Sequence, residues 1–184
     1  MTSEKYEKYL TKKNIDEVLS YIESYWPKLV RKHPEDLRSI IGLPNPYVVP
    51  SDTELFQEQY YWDSYPIVRA LIDNPKHSKL AIGMVDNMLH LVERFGIIPN
   101  ASRMYFLSRS QPPLLTSMVS AVYEKTKDKE WLRRAIKLVE LEYQDVWMGK
   151  VHLRNYRLTS TGLSRYYDIN ALDVLAEAES GWDM

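Results

Sequence analysis

The chain has 184 residues, 45% of them hydrophobic and 27% charged, so it can bury a core and falls in the usual range for one domain. A formal net charge of −1 offers no handle to nucleic acid or an anionic membrane, and charges interrupt each apolar run before it could span a bilayer. With no cysteine there is no disulfide framework, no thiol nucleophile and no zinc–thiolate site.

The opening stretch MTSEKYEKYLTKKN lacks the apolar segment of a signal peptide, which makes the cytoplasm the expected location. Asn14 followed by Glu17 reads as a capping box, and Ile15, Val18, Leu19, Ile22, Trp26 and Leu29 then recur at helical spacing. Pro27 predicts a kink there or the end of the first segment. Residues 34–52 carry Pro34, Pro44, Pro46 and Pro50 around the apolar run IIGLPNPYVVP, the pattern of an ordered, buried loop.

A second helix is predicted over 62–73 and a third over 76–95. The third puts Leu80, Met84, Met88, Leu91, Val92 and Phe95 on one stripe, with Gly96 as its C-cap. Helices over 113–125 and 129–146 follow, the latter behind Asp128 as N-cap. Residues 147–168 read as irregular, and a sixth helix is predicted over 169–178. The sequence therefore predicts an all-α chain of paired antiparallel helices, with long polar-aromatic loops at alternate junctions. Loops of that kind on a helical scaffold imply a function-bearing face.

Three loops carry the unusual residues. Aromatics reach 12%, with 14 Tyr and 5 Trp against 3 Phe, so rings with a polar edge dominate. Such rings suit half-wet surfaces, including the flat faces of sugars, although most Tyr simply pack at helix seams. LFQEQYYWDSY (55–65) offers Tyr60 and Trp62 as ring faces. It also sets Asp63 at a helix mouth, where the dipole favours its charge. The ordinary alternative is an N-cap beside core aromatics. IPNASRMYFLSRSQPP (98–113) offers Asn100, Arg109, Ser110 and Gln111, groups able to grip paired hydroxyls. There the alternative is Ser110 as a helix cap and Arg109 in solvent. The last loop, AESGWDM, places Asp183 beside Trp182 and Gly181. An apolar wall of that kind keeps a carboxyl protonated as a general acid, whereas a lone Asp more often sits in solvent. His33, His77, His90 and His152 show no metal-ligand spacing, and no glycine-rich phosphate loop exists.

In order, LPNPYVVP, F-x-E-x-YYWDSY, LVERFGIIPN, YFLSRSQPPLL and AESGWD closely resemble the α,α-trehalases, from about Trp26 to Asp183. The resemblance implies part, about half, of an (α/α)6 toroid. It makes residues 1–184 a single incomplete barrel domain that ends just after the catalytic-acid motif. It implies inverting hydrolysis of trehalose without a cofactor or metal, with Asp183 as the general acid. Sugar-binding roles fall on Phe56, Tyr60, Trp62, Asp63, Asn100, Arg109, Ser110, Gln111 and Gly181. An inverting glycosidase also needs a second carboxylate to activate water, and the resemblance places it far downstream. The chain departs from the family in two further places: Leu55 stands where a substrate-binding arginine is expected, and the Arg-Pro-Glu segment before the acid loop is missing. The isolated chain is thus expected to be inactive. The alternatives are a related α-glucosidase or a non-catalytic carbohydrate-binding fragment. Its expected partners are a small sugar and, through raw helical flanks, a second copy or a complementary C-terminal chain.

Overall fold

A computed structural model describes residues 11–149 and 158–165. Helix α1 runs Lys12–Leu29 and is capped by Thr11, whose hydroxyl accepts from the Asn14 amide at 3.2 Å. The capping box expected at Asn14 is therefore displaced by one turn: Asn14 lies inside the helix and is capped rather than capping. Pro27 does not end the helix at its own position, since the helix runs two residues further, to Leu29.

The apolar run of the proline-rich loop is largely buried, as expected, whereas residues 34–38, Pro44, Pro50 and Asp52 are exposed. Ile41, Leu43, Tyr47, Val48 and Val49 are all at most 1% exposed. Prolines remove donors, and the remaining amides find partners elsewhere. Leu43 N–H reaches His33 O at 2.7 Å and Val49 N–H reaches Leu29 O at 3.0 Å. Strands β1 (Val30–Arg31) and β2 (Tyr47–Val48) pair antiparallel, Val30 opposite Val48 and Arg31 opposite Tyr47. This two-residue ladder is a piece of sheet that the helical pattern did not announce.

Helix α2 (Tyr61–Leu71) and α3 (Ser78–Phe95) form one hairpin, and α4 (Leu115–Thr126) and α5 (Lys129–Glu142) form another packed beside it. The predicted stripe on α3 is the core itself: Met84, Met88 and Val92 are fully buried, and Ala81, Val85 and Leu89 fill the remaining faces. A helix so apolar around most of its circumference belongs in the middle. Gly96 ends it with φ 73°, its amide bonded to Val92 O at 2.8 Å. Asp128 caps α5 by accepting from Trp131 N–H at 2.9 Å, as its position predicts. Residues 143–147 continue α5 as a π-helical turn instead of regular helix. The predicted sixth helix over 169–178 lies outside the described residues. No helix among the described residues is long and apolar enough to cross a membrane.

Candidate functional site

Helix α2 begins at Tyr60, an N-cap whose side chain makes no capping bond. The first amides of a helix have no partner inside it, so something else must accept from them. Here the second polar loop does so. Tyr61 N–H donates to Asn100 O at 3.2 Å, and Trp62 N–H donates to the side-chain carbonyl of Gln111 at 3.0 Å. Loop 98–111 is thereby fastened across the mouth of α2.

The same loop folds back on itself around a short 3-10 turn, Met104–Phe106. Asn100 N–H reaches Arg109 O at 3.1 Å, which puts two of the predicted hydroxyl-gripping residues side by side. The Arg109 guanidinium lies 4.7 Å over the Phe106 ring, half-buried and not in open solvent. Beneath, Ser102 N–H donates to Gln59 O at 3.1 Å, Gln59 N–H to Ser102 Oγ at 3.0 Å, and Ile41 N–H to Ser102 O at 2.9 Å. Three loops thus interlock under the mouth of α2.

A buried amide cluster fixes this platform to α3. Gln59 Nε2 donates to Met84 O at 2.9 Å, while Asn87 Nδ2 donates to Gln59 Oε1 and Asn45 O, both at 2.9 Å. Gln59 and Asn87 are 1% and 0% exposed, so each bond replaces one lost to water. Sequence reading missed both residues. The available signal was a polar Asn87 inside the apolar run of α3.

On the outer side the rings are arranged as walls. Phe56 and Tyr60 meet edge to face with centroids 5.8 Å apart, and Trp62 remains 51% exposed. Asp63 sits in the first turn of α2, half-buried; it is not the N-cap. Burial pushes its carboxyl above the usual range, against the pull of hydrogen bonds from its own backbone and from Trp62. Ser110 does not cap α4, whose N-cap is Leu114. Its hydroxyl is buried and donates to Gln111 O at 3.3 Å. The structure therefore brings Phe56, Tyr60, Trp62, Asp63, Asn100, Arg109 and Gln111 to one end of the helical array, with Ser110 underneath. Gly181 and Asp183 lie outside the described residues.

A family model described as Trehalase matches residues 1–180. The chain belongs to the trehalase family. It is 34% identical over 206 residues to a trehalase of Tenebrio molitor, covering 93% of this chain and 36% of that one. It is 39% identical over 142 residues to a periplasmic trehalase of Pseudomonas aeruginosa, covering 75% and 25%. Among solved structures, the neutral trehalase of Saccharomyces cerevisiae is similar, with a TM-score of 0.59 and 38% identity over 67% of this chain and 22% of that one. The chain thus spans about a third or less of these trehalases' own lengths.

The described loops bring together aromatic faces, an amide fork, a guanidinium and one carboxylate. Among the described residues no cluster of His, Asp and Glu could hold a metal ion. Leu55, at the position of the expected arginine, is 51% exposed.

Proposed function

We propose that this chain forms the sugar-binding half of a trehalase active site and that the complete site hydrolyses trehalose with inversion. The observation that carries the reading is the fastening of Gln111 and Asn100 onto the first amides of α2. That contact gathers the two polar loops beside the exposed Trp62 face. In this reading Trp62 and the Phe56–Tyr60 pair stack on the sugar rings. Asp63, Asn100, Arg109, Ser110, Gln111 and Gly181 hold hydroxyls, and Asp183 protonates the leaving oxygen. A second carboxylate, outside this chain's site residues, activates water on the opposite face. A cytoplasmic location belongs to the same proposal, and fractionation of cells making the tagged chain checks it.

Raw helical flanks support the association reading. Ile15, Val18 and Leu19 on α1, and Ile136 and Tyr143 at the far end of the array, are 44–57% exposed. Further hairpins of the same architecture, from a complementary C-terminal chain or a second copy, would cover them.

Calorimetric titration with trehalose tests the site, with cellobiose as the control. Selective binding that is lost in Trp62→Ala supports it, and equal or absent binding of both sugars overturns it. The isolated chain is expected to release no glucose at a family-like rate, because general-base assistance is worth about 10²–10⁴-fold. Glucose release by purified chain that disappears in Asp183→Asn would overturn that expectation.

A further inference from the structure

The motif F-x-E-x-YYWDSY contains one carboxylate with no part in the sugar reading, Glu58. It is 3% exposed, yet both of its oxygens are occupied. Oε1 takes the Arg103 guanidinium through Nε and Nη2. Oε2 accepts from Gln57 N–H at 3.0 Å and from the Tyr60 hydroxyl at 3.4 Å. Arg103 in turn donates through Nη1 to Ser39 Oγ at 2.7 Å, so the pair is anchored to the proline-rich loop as well.

A buried ion pair is a poor device for stability. Its desolvation offsets most of the attraction, and an apolar pair of similar volume often holds a fold as well or better. What such a pair fixes is orientation. Glu58 lies between Phe56 and Tyr60, whose rings form the edge-to-face wall, and its Oε2 sits 3.4 Å from the Tyr60 hydroxyl, a long contact. Arg103 belongs to the loop that carries Asn100 and Arg109. The pair therefore locks the ring wall of one loop to the hydrogen-bonding groups of the other.

We propose that Glu58, held by Arg103, is a positioning residue for the sugar face: it sets the Tyr60 hydroxyl and with it the angle of the Phe56–Tyr60 wall. The proposal rests on the sugar-binding reading above, and its test separates the two. Glu58→Gln alone leaves the half-buried Arg103 guanidinium without its counter-charge and can destabilise the chain. The decisive variant is therefore the apolar double replacement Glu58→Met with Arg103→Leu, beside Tyr60→Phe. Melting is followed by circular dichroism, trehalose affinity by calorimetry, and the Tyr60 environment by fluorine resonance of 3-fluorotyrosine-labelled chain, assigned through Tyr60→Phe.

The expected result is a double variant that melts at or above the wild-type temperature and has a shifted or broadened Tyr60 resonance. Its trehalose affinity is about 3- to 10-fold weaker, the scale of one hydrogen-bonded contact. A merely structural pair gives the opposite pattern, a lower melting temperature with unchanged affinity, and that overturns the proposal. An unchanged Tyr60 resonance overturns it whatever the sugar does. A wild-type chain that binds no trehalose overturns the sugar reading instead, while the Tyr60 resonance still decides whether Glu58 positions the ring.

Discussion

At Asp63 the proposed sugar contact and stability pull in opposite directions. Its carboxyl titrates higher in the folded chain than in the unfolded one, because burial penalises the charge. A carboxyl raised in this way costs stability above its folded pKa and nothing below its unfolded value, the reverse of an ion-paired Asp. Asp63→Asn is therefore expected to raise the melting temperature at pH 7, with the gap closing near pH 3, while trehalose affinity falls. A variant less stable than wild type at pH 7 would refute the assignment. Tyr61 shows the contrary case. Its fully buried hydroxyl accepts from Leu115 N–H at 3.1 Å and donates to Glu142 at 2.8 Å, joining α2, α4 and α5 at one atom. With Gln111 on the neighbouring Trp62 amide, residues 61–62 and 111–115 are clamped twice. Tyr61→Phe strips partners from a buried amide and a buried carboxylate, a loss of about 1–3 kcal/mol. Urea midpoints at constant slope measure it, and a midpoint equal to wild type would show the clamp to be idle.

At the scale of elements, one staple ties the proline-rich loop to α3. Asp36 accepts from Arg94 through both carboxylate oxygens, at 2.8 and 2.5 Å, and from Gly42 N–H at 2.8 Å. The guanidinium and that amide hold its carboxyl down at about 2. A depressed carboxyl gives stability above its unfolded pKa and loses it as pH falls through the folded one. The melting-temperature advantage of wild type over Asp36→Asn should thus be present at pH 6 and fade between about pH 4 and pH 2. It should be modest, since both partners are about a third exposed and screened. A gap that stays constant with pH would remove the staple. The elements also show what was legible beforehand. Asp128 and Gly96 declare their helix ends because a cap needs only its own neighbours. Thr11 and Asn14 both satisfy a capping pattern, and only the path of the chain chooses between them. Glu58, Gln59 and Asn87 were illegible for a different reason: their partners lie in other segments, and local spacing carries no record of those. The site loops stood out by composition. Their meeting point followed from Tyr60, a cap position whose side chain does not cap and whose helix must borrow acceptors from another loop.

At the scale of the molecule, the two hairpins and α1 leave apolar surface at both ends of the array. No residue of α1 is buried, and Ile15, Val18, Leu19 and Ile22 are all at least 41% exposed. Between that helix and the foot of α2 runs an open groove of about 730 Å³, lined by Leu19, Ile22, Trp26 and Ala70 together with the polar Ser20, Glu23, Ser24 and Asn74. At the other end α5 presents Ile136 and Leu141, 51% and 37% exposed, followed by Tyr143 at 50%. Apolar faces of this extent invite a partner or aggregation. If copies join as neighbouring hairpins of a ring would, the α1 face of one meets the α5 face of the next, a heterologous contact. Breaking either face then breaks every junction. If each face pairs with its own kind, a single broken face leaves dimers through the other. Light scattering at micromolar concentration is expected to show wild-type chain above monomer mass, and Leu19→Glu and Ile136→Lys each to return it to monomer. Dimers that persist in both single variants and vanish only when the two changes are combined would establish self-paired faces and rule out the ring-like contact. A wild-type chain that is a monodisperse monomer with one sharp thermal transition would rule out association altogether, and the exposed α1 stripe would then need no partner to stay in water.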